Sequence, residues 1–130
     1  MDGSELNGLS ILVVEDEPLI AIDTACTIVQ AGGTLVGPAY SLGEAFEKIE
    51  NARIDAALLD INLRNEQVFR LADTLADRGV PIVFLTGAIW PVMPERHAGC
   101  RRVGKPMNPP SVIAALRSAV GRELLSALAS

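Results

Sequence analysis

Three carboxylates stand in a row, Glu15-Asp16-Glu17, directly after the short apolar run Ile11-Leu12-Val13-Val14. A fourth, Asp60, closes a second run, Ala56-Ala57-Leu58-Leu59. Thr86 closes a third that begins at Val80, and Lys105 follows the weaker run Arg102-Val103-Gly104. If these runs are strands of one parallel sheet, three or four carboxylates, a hydroxyl and an ammonium point at one rim. Converging carboxylates repel unless one is protonated or a cation bridges them. Mg²⁺ takes oxygen ligands at about 2.0–2.1 Å and keeps several waters, which suits such a rim.

The elements that must position these groups alternate along the chain. Ile11–Val14 has the β-branched character of a buried parallel strand. Pro18 opens a helix to about Ala31, stopped by Gly32-Gly33. Thr34 to Pro38 reads as a second strand. Ser41 and Glu44 form a capping box for a helix through about Ala52. Ile54 to Asp60 is a third strand. Leu71, Ala72, Leu75 and Ala76 mark a third helix ended by Gly79, and Val80 to Thr86 is a fourth strand. Pro91, Pro94, Gly87 and Gly99 break up residues 87–101, so a short, irregular helix is expected there. Arg102-Val103-Gly104 is a fifth strand, and Asn108 caps a last helix begun by Pro109. This alternation predicts an α/β, doubly wound, five-stranded parallel sheet of flavodoxin-like order 2-1-3-4-5. Strands one and three are then neighbours, and Asp16 meets Asp60.

A chain of 130 residues suits one domain. Its net charge of -5 and scattered basic residues argue against nucleic acid as a direct partner. Met1 to Gly8 is polar and lacks the pattern of a signal peptide, and no apolar run reaches the ~20 residues of a membrane span. A cytoplasmic, membrane-free protein is expected. Cys26 and Cys100 have no metal-type spacing and read as reduced packing residues. His97, alone in a Pro/Gly-broken segment, is expected at the surface, and Trp90 as a packing or surface aromatic.

Four blocks carry a resemblance. Val13-Val14-Glu15-Asp16-Glu17-Pro18, Leu58-Leu59-Asp60-Ile61-Asn62-Leu63, Phe84-Leu85-Thr86-Gly87 and Lys105-Pro106 look like the signature blocks of response-regulator receiver domains of the CheY-like superfamily. They occur in order, one per strand end. The resemblance spans residues 9–121, leaving 1–8 as an N-terminal tail and 122–130 as a C-terminal helical extension. It implies a stand-alone response regulator in a two-component phosphorelay, a phosphoacceptor with slow self-dephosphorylation rather than an enzyme. Asp60 would accept the phosphoryl group from a sensor histidine kinase. Mg²⁺ would sit on Glu15, Asp16, Asp60 and the backbone carbonyl of Asn62. Thr86 and Lys105 would hold the phosphoryl oxygens, and Lys105-Pro106 would be cis. A downstream protein target is also implied.

This chain departs from the family pattern in places. Glu15 stands where Asp is frequent, and Val103 stands where many receivers carry an aromatic switch residue. Phe84-Leu85-Thr86-Gly87-Ala88-Ile89 resembles the subgroup named for its Phe-Ala-Thr-Gly motif and paired with HWE-type kinases, with Leu85 replacing Ala and Ile89 replacing an aromatic. Other readings are weaker. A pseudo-receiver, binding partners without phosphorylation, does not need Asp16, Asp60, Thr86 and Lys105 together. A haloacid-dehalogenase phosphatase needs Asp-x-Asp-x-Thr, and here the segment is Asp60-Ile61-Asn62-Leu63-Arg64. A flavodoxin would need a phosphate loop where Glu15-Asp16-Glu17 would repel it. The last helix has an inner face of Val112, Ile113, Leu116 and Val120, and its apolar pattern continues through Leu124, Leu125 and Leu128. Those leucines are expected to contact another chain, a symmetric homodimer being the simplest closed arrangement.

Overall fold

The computed structural model describes residues 4–63, 68–87 and 93–129. Its elements run β1 (Ser10–Val14), α1 (Pro18–Gln30), β2 (Thr34–Ala39), α2 (Leu42–Asn51), β3 (Ala56–Asp60), α3 (Val68–Asp77), β4 (Ile82–Thr86), a 3₁₀ turn (Glu95–His97), β5 (Arg101–Gly104) and α4 (Pro109–Ala129). The strands form one parallel sheet in the expected order β2-β1-β3-β4-β5. Of the irregular helix expected after β4, residues 88–92, including Trp90, lie outside the described residues; the described part holds only the 3₁₀ turn.

Strand alternation sorts the side chains into two cores. Leu12, Val14, Ala57, Leu59, Ile82 and Phe84 face α2 and α3, while Ile11, Val13, Ala56, Leu58, Val83 and Leu85 face α1 and α4. β3 and β4 are buried along their whole length, as strands covered on both faces must be. Leu6, in the segment read as a tail, is also fully buried in the second core, and its N–H donates to the Ala31 carbonyl at 2.9 Å.

Local chemistry sets the helix ends. Gly32 (φ +88°) and Gly79 (φ +75°) supply the left-handed residue after α1 and α3, and Gly33 and Val80 donate back to Ile28 and Leu75 at 3.0 Å. Ser41 Oγ accepts from the Glu44 N–H at 3.2 Å, while the Glu44 carboxylate reaches the N–H of Tyr40 at 2.5 Å, one residue before the cap. Asn108 Oδ1 accepts from the Ser111 N–H at 3.0 Å. α4 continues unbroken past Gly121, and Leu124, Leu125 and Leu128 on its last turns are exposed.

β2 contains an irregularity that the sequence conceals. Its register against β1 shifts between Leu12 and Val14, so that Val14 pairs with Ala39. Gly37 makes the bulge. Its φ is +112°, and a Cβ there would stand 2.8 Å from Ala39 N and 2.9 Å from Val13 O. The shifted strand brings the Ala39 carbonyl to the N–H of Glu15, at 2.9 Å.

Two expectations are corrected. Cys26 is exposed, not packed. α1 buries Ala21, Thr24, Thr27 and Ile28, because both threonines satisfy their hydroxyls on the Ile20 and Asp23 carbonyls. Cys26 falls on the opposite face with exposed Leu19, Ile22 and Val29. His97 is not at the surface either; it is 1% exposed. Its Nε2 lies 2.7 Å from Asp73 Oδ1. Its ring lies nearly parallel to Phe69 (14°) and edge-on to Phe84 (73°), each 6.1 Å away. Phe69 and Asp73 are four residues apart on α3, so one helix face offers both a ring and a carboxylate. Outside this pair, Arg96 pairs with Asp77 and reaches Asp73 at 3.8 Å.

Two stability measurements follow. Gly37→Ala should lower unfolding free energy by at least about 2 kcal/mol in urea titration, because strain at positive φ and overlap with backbone combine. His97→Ala should cost about 2–4 kcal/mol, from the lost ring contacts and the cavity left between Phe69 and Phe84. A loss under about 0.5 kcal/mol, the range of ordinary surface changes, would contradict either account.

Candidate functional site

The sheet register delivers each polar residue to the rim, Asp60 and Thr86 as the last residues of their strands and Glu15 and Lys105 one step past theirs. Val14 pairs with Leu59, Asp60 with Leu85, and Thr86 with Gly104. The ladder continues beyond the strands: Ile61 N–H donates to Leu85 O at 3.0 Å, and Lys105 N–H donates to Thr86 O at 2.7 Å. Glu15, Asp60, Thr86 and Lys105 therefore stand at neighbouring ends of β1, β3, β4 and β5.

The side chains converge as this placement requires. Glu15, Asp60 and Thr86 are almost wholly buried. The Lys105 ammonium lies 3.2 Å from Asp60 Oδ1 and 3.4 Å from Glu15 Oε1. Asp60 Oδ1 also accepts from the Asn62 N–H at 2.9 Å, which ties the Asn62 backbone to the rim. Glu15 Oε1 accepts from the Glu17 N–H at 3.2 Å. Glu17 rather than Asp16 occupies the N-cap position of α1. The peptide before Pro106 is cis, as expected. Val103 is buried against the second core and presents no ring.

Electrostatics at the rim is set first by burial and then by crowding of like charge. Burial, followed by the hydrogen-bonded and like-charged neighbour Asp60, pushes the Glu15 carboxyl up to about 8, while Lys105 and the Glu17 N–H pull it down. Glu15, Asp16 and Asp60 each offer an oxygen, all within 4.8 Å of one another. Glu15 Oε2 is buried without a hydrogen-bond partner among the described residues. Hard oxygen donors in this arrangement, one of them lacking a donor of its own, fit a small divalent cation. The Thr86 hydroxyl is likewise buried without a partner among the described residues, which leaves it able to donate to a ligand.

The sequence pointed to all of these groups. It missed the His97–Asp73 pair, whose only local signal was the Phe69/Asp73 spacing on α3.

An open parallel sheet with an acidic cluster, a lysine and a threonine at its carboxyl rim is the frame of one family: the chain belongs to the response regulator receiver domain family, which matches residues 11–117. Members are generally phosphoacceptors rather than enzymes, and typically hold Mg²⁺ in an acidic pocket of this kind. The phyllosphere-induced regulator PhyR of Methylorubrum extorquens is 31% identical over 119 residues, covering 85% of this chain. The chain spans 43% of that relative's length. The solution structure of SdrG from Sphingomonas melonis Fr1 is 36% identical, with a TM-score of 0.75 over 90% of this chain and 98% of that one. The response regulator PhyR from Brucella abortus is 28% identical, with a TM-score of 0.78 over 98% of this chain and 55% of that one. Among the described residues, no helix is long and apolar enough to cross a membrane.

The raised Glu15 pKa has a signed consequence. A carboxyl moved from 4.5 to about 8 binds its proton more tightly folded than unfolded. Its stabilisation is complete below 4.5 and is lost as pH rises through about 8. Without divalent cations, wild-type protein should therefore lose stability over that window relative to Glu15→Gln, read as the difference between their urea midpoints. Parallel pH profiles would contradict the placement of Glu15.

Proposed function

We propose that this chain accepts a phosphoryl group on Asp60 from the phosphohistidine of a sensor histidine kinase, with Mg²⁺ at the rim. One observation carries the reading: the buried Thr86 hydroxyl, without a partner among the described residues, lies one ladder step from Asp60 and Lys105. A tetrahedral, multiply charged oxygen group is what this donor set complements. An Asp60 carboxylate oxygen attacks phosphorus; the phosphorus–nitrogen bond breaks and its electron pair stays on the histidine. The product is an acyl phosphate. Phosphoryl transfer depends mainly on in-line positioning and neutralisation of oxygen charge. Thr86 donates to one phosphoryl oxygen and Lys105 pairs with another. Glu15, Asp16, Asp60 and the Asn62 carbonyl are the residues that would hold the cation, which when bound offsets phosphoryl charge. Slow self-dephosphorylation resets the site.

Val103 has no ring to rotate, so an aromatic-rotation switch at that position does not operate in this chain. Phe84-Leu85-Thr86-Gly87 supports pairing with an HWE-type kinase in the cytoplasm. Similarity to the PhyR regulators, one structure of which is described as a stress response regulator, supports a stress-signalling role carried to a downstream protein.

Intact-mass measurement with acetyl phosphate tests the site. Wild-type protein should gain one phosphoryl group in Mg²⁺ and little in EDTA, and Asp60→Asn should gain none. A full adduct on Asp60→Asn would sink the assignment. Target binding that is identical in wild type and Asp60→Asn, with and without phosphodonor, would instead identify a phosphorylation-independent interaction module.

A further inference from the structure

A histidine is a demanding residue to bury, because its ring nitrogens cost free energy unless hydrogen-bonded. Leucine or phenylalanine would fill the space between Phe69 and Phe84 with no such need. His97 instead brings a directional bond, Nε2 to Asp73 Oδ1 at 2.7 Å, into a position only 1% exposed. Packing alone fills a volume; a hydrogen bond also fixes the orientation of the turn that carries it.

The bond joins an anchor to two strand ends. The anchor is α3, which supplies Asp73 and Phe69. The first strand is β4. Its Phe84 meets the His97 ring edge-on, and Phe84 and Thr86 leave the same face of β4, two residues apart. The second strand is β5. The Cys100 N–H donates to the His97 carbonyl at 3.1 Å just before β5 begins, and Lys105 follows its far end. β5 is four residues long and buries only Val103. Little besides its ladder to β4 and the bonds at its two ends sets its placement.

We propose that His97 is a positioning residue for the phosphoryl group. Tied to α3 by Asp73 and packed on Phe84, it holds the ends of β4 and β5 so that Thr86 and Lys105 meet the phosphoryl oxygens together. This rests on the phosphoacceptor reading of Asp60. Groups that recognise a reacting centre must be held to within about 0.5 Å by the packing and hydrogen bonds behind them, and His97 supplies both. The carboxylates that would take the cation lie elsewhere, at the ends of β1 and β3. Loosening the clamp therefore separates two events that general destabilisation would weaken together. Mg²⁺ binding uses β1 and β3, whereas phosphoryl binding also needs β4 and β5.

The test measures two affinities on the full chain. Mg²⁺ is titrated by ¹⁵N amide shifts, and beryllofluoride, a phosphoryl mimic, by ¹⁹F resonances in saturating Mg²⁺. His97→Ala should weaken beryllofluoride about tenfold, a size usual for coupled sites, and leave Mg²⁺ affinity unchanged. Because His97→Ala also costs stability, Asp73 variants decide the matter if it fails to fold; the Asp73 side chain is half exposed. Asp73→Ala should weaken beryllofluoride in the same direction by less, since the ring contacts stay. Asp73→Asn, whose side-chain oxygen still accepts from Nε2, should restore wild-type affinity. Unaltered beryllofluoride affinity in Asp73→Ala, a parallel loss of Mg²⁺ affinity, or no recovery in Asp73→Asn would each overturn the role of His97 and leave the Asp60 reading intact. Wild-type protein that takes up no beryllofluoride would overturn the Asp60 reading, and this one with it.

Discussion

A single ammonium holds the rim together. Lys105 reaches Asp60 and Glu15 at 3.2 and 3.4 Å, inside a cluster that places three carboxylates within 4.8 Å. Buried like charges are tolerable only with such a counter-charge, a bound cation or a proton on one of them. The lysine can do this only if β1, β3 and β5 end at the same height, which the registers through β4 impose. A slip of one residue in any strand would turn its side chains to the opposite face and remove a member of the cluster. The two cores on either side of the sheet are therefore also what holds the site in register.

Much of this was legible because strands in a doubly wound sheet are short apolar runs, and the polar residue that ends each run lies at the ligand-binding rim. Asp60, Thr86 and Lys105 could be read in that way, as could the caps at Ser41 and Asn108. The Gly37 bulge could not, since a lone glycine in a strand pattern does not reveal a register shift. Leu6 was hidden by its polar neighbours. Thr24 and Thr27 look like surface residues of α1 and Leu19 and Ile22 like core; the reverse holds because threonine hydroxyls can be satisfied on the helix's own carbonyls. His97 escaped because its partners lie on α3, more than twenty residues away, and a histidine's burial depends on finding them.

The family frame and the individual chain separate clearly. The sheet, the acidic pair and the lysine follow the receiver pattern. Glu15 in place of aspartate brings a longer carboxyl into a buried position, with its proton affinity raised accordingly. Val103 adds packing where other receivers carry a ring.

The His97 enclosure also shapes how the molecule opens. Its ring is held by Phe69 from α3 and Phe84 from β4, and its nitrogen by Asp73, with Arg96 bridging to Asp77 outside. The turn at Glu95–His97 cannot lift away without exposing two aromatic faces and separating a buried histidine from its carboxylate. Partial unfolding proceeds in contiguous units whose contacts fail together. α3 and the 94–98 turn, joined through this ring to the centre of β4, accordingly form one cooperative unit: a fluctuation that frays the turn must also loosen the helix.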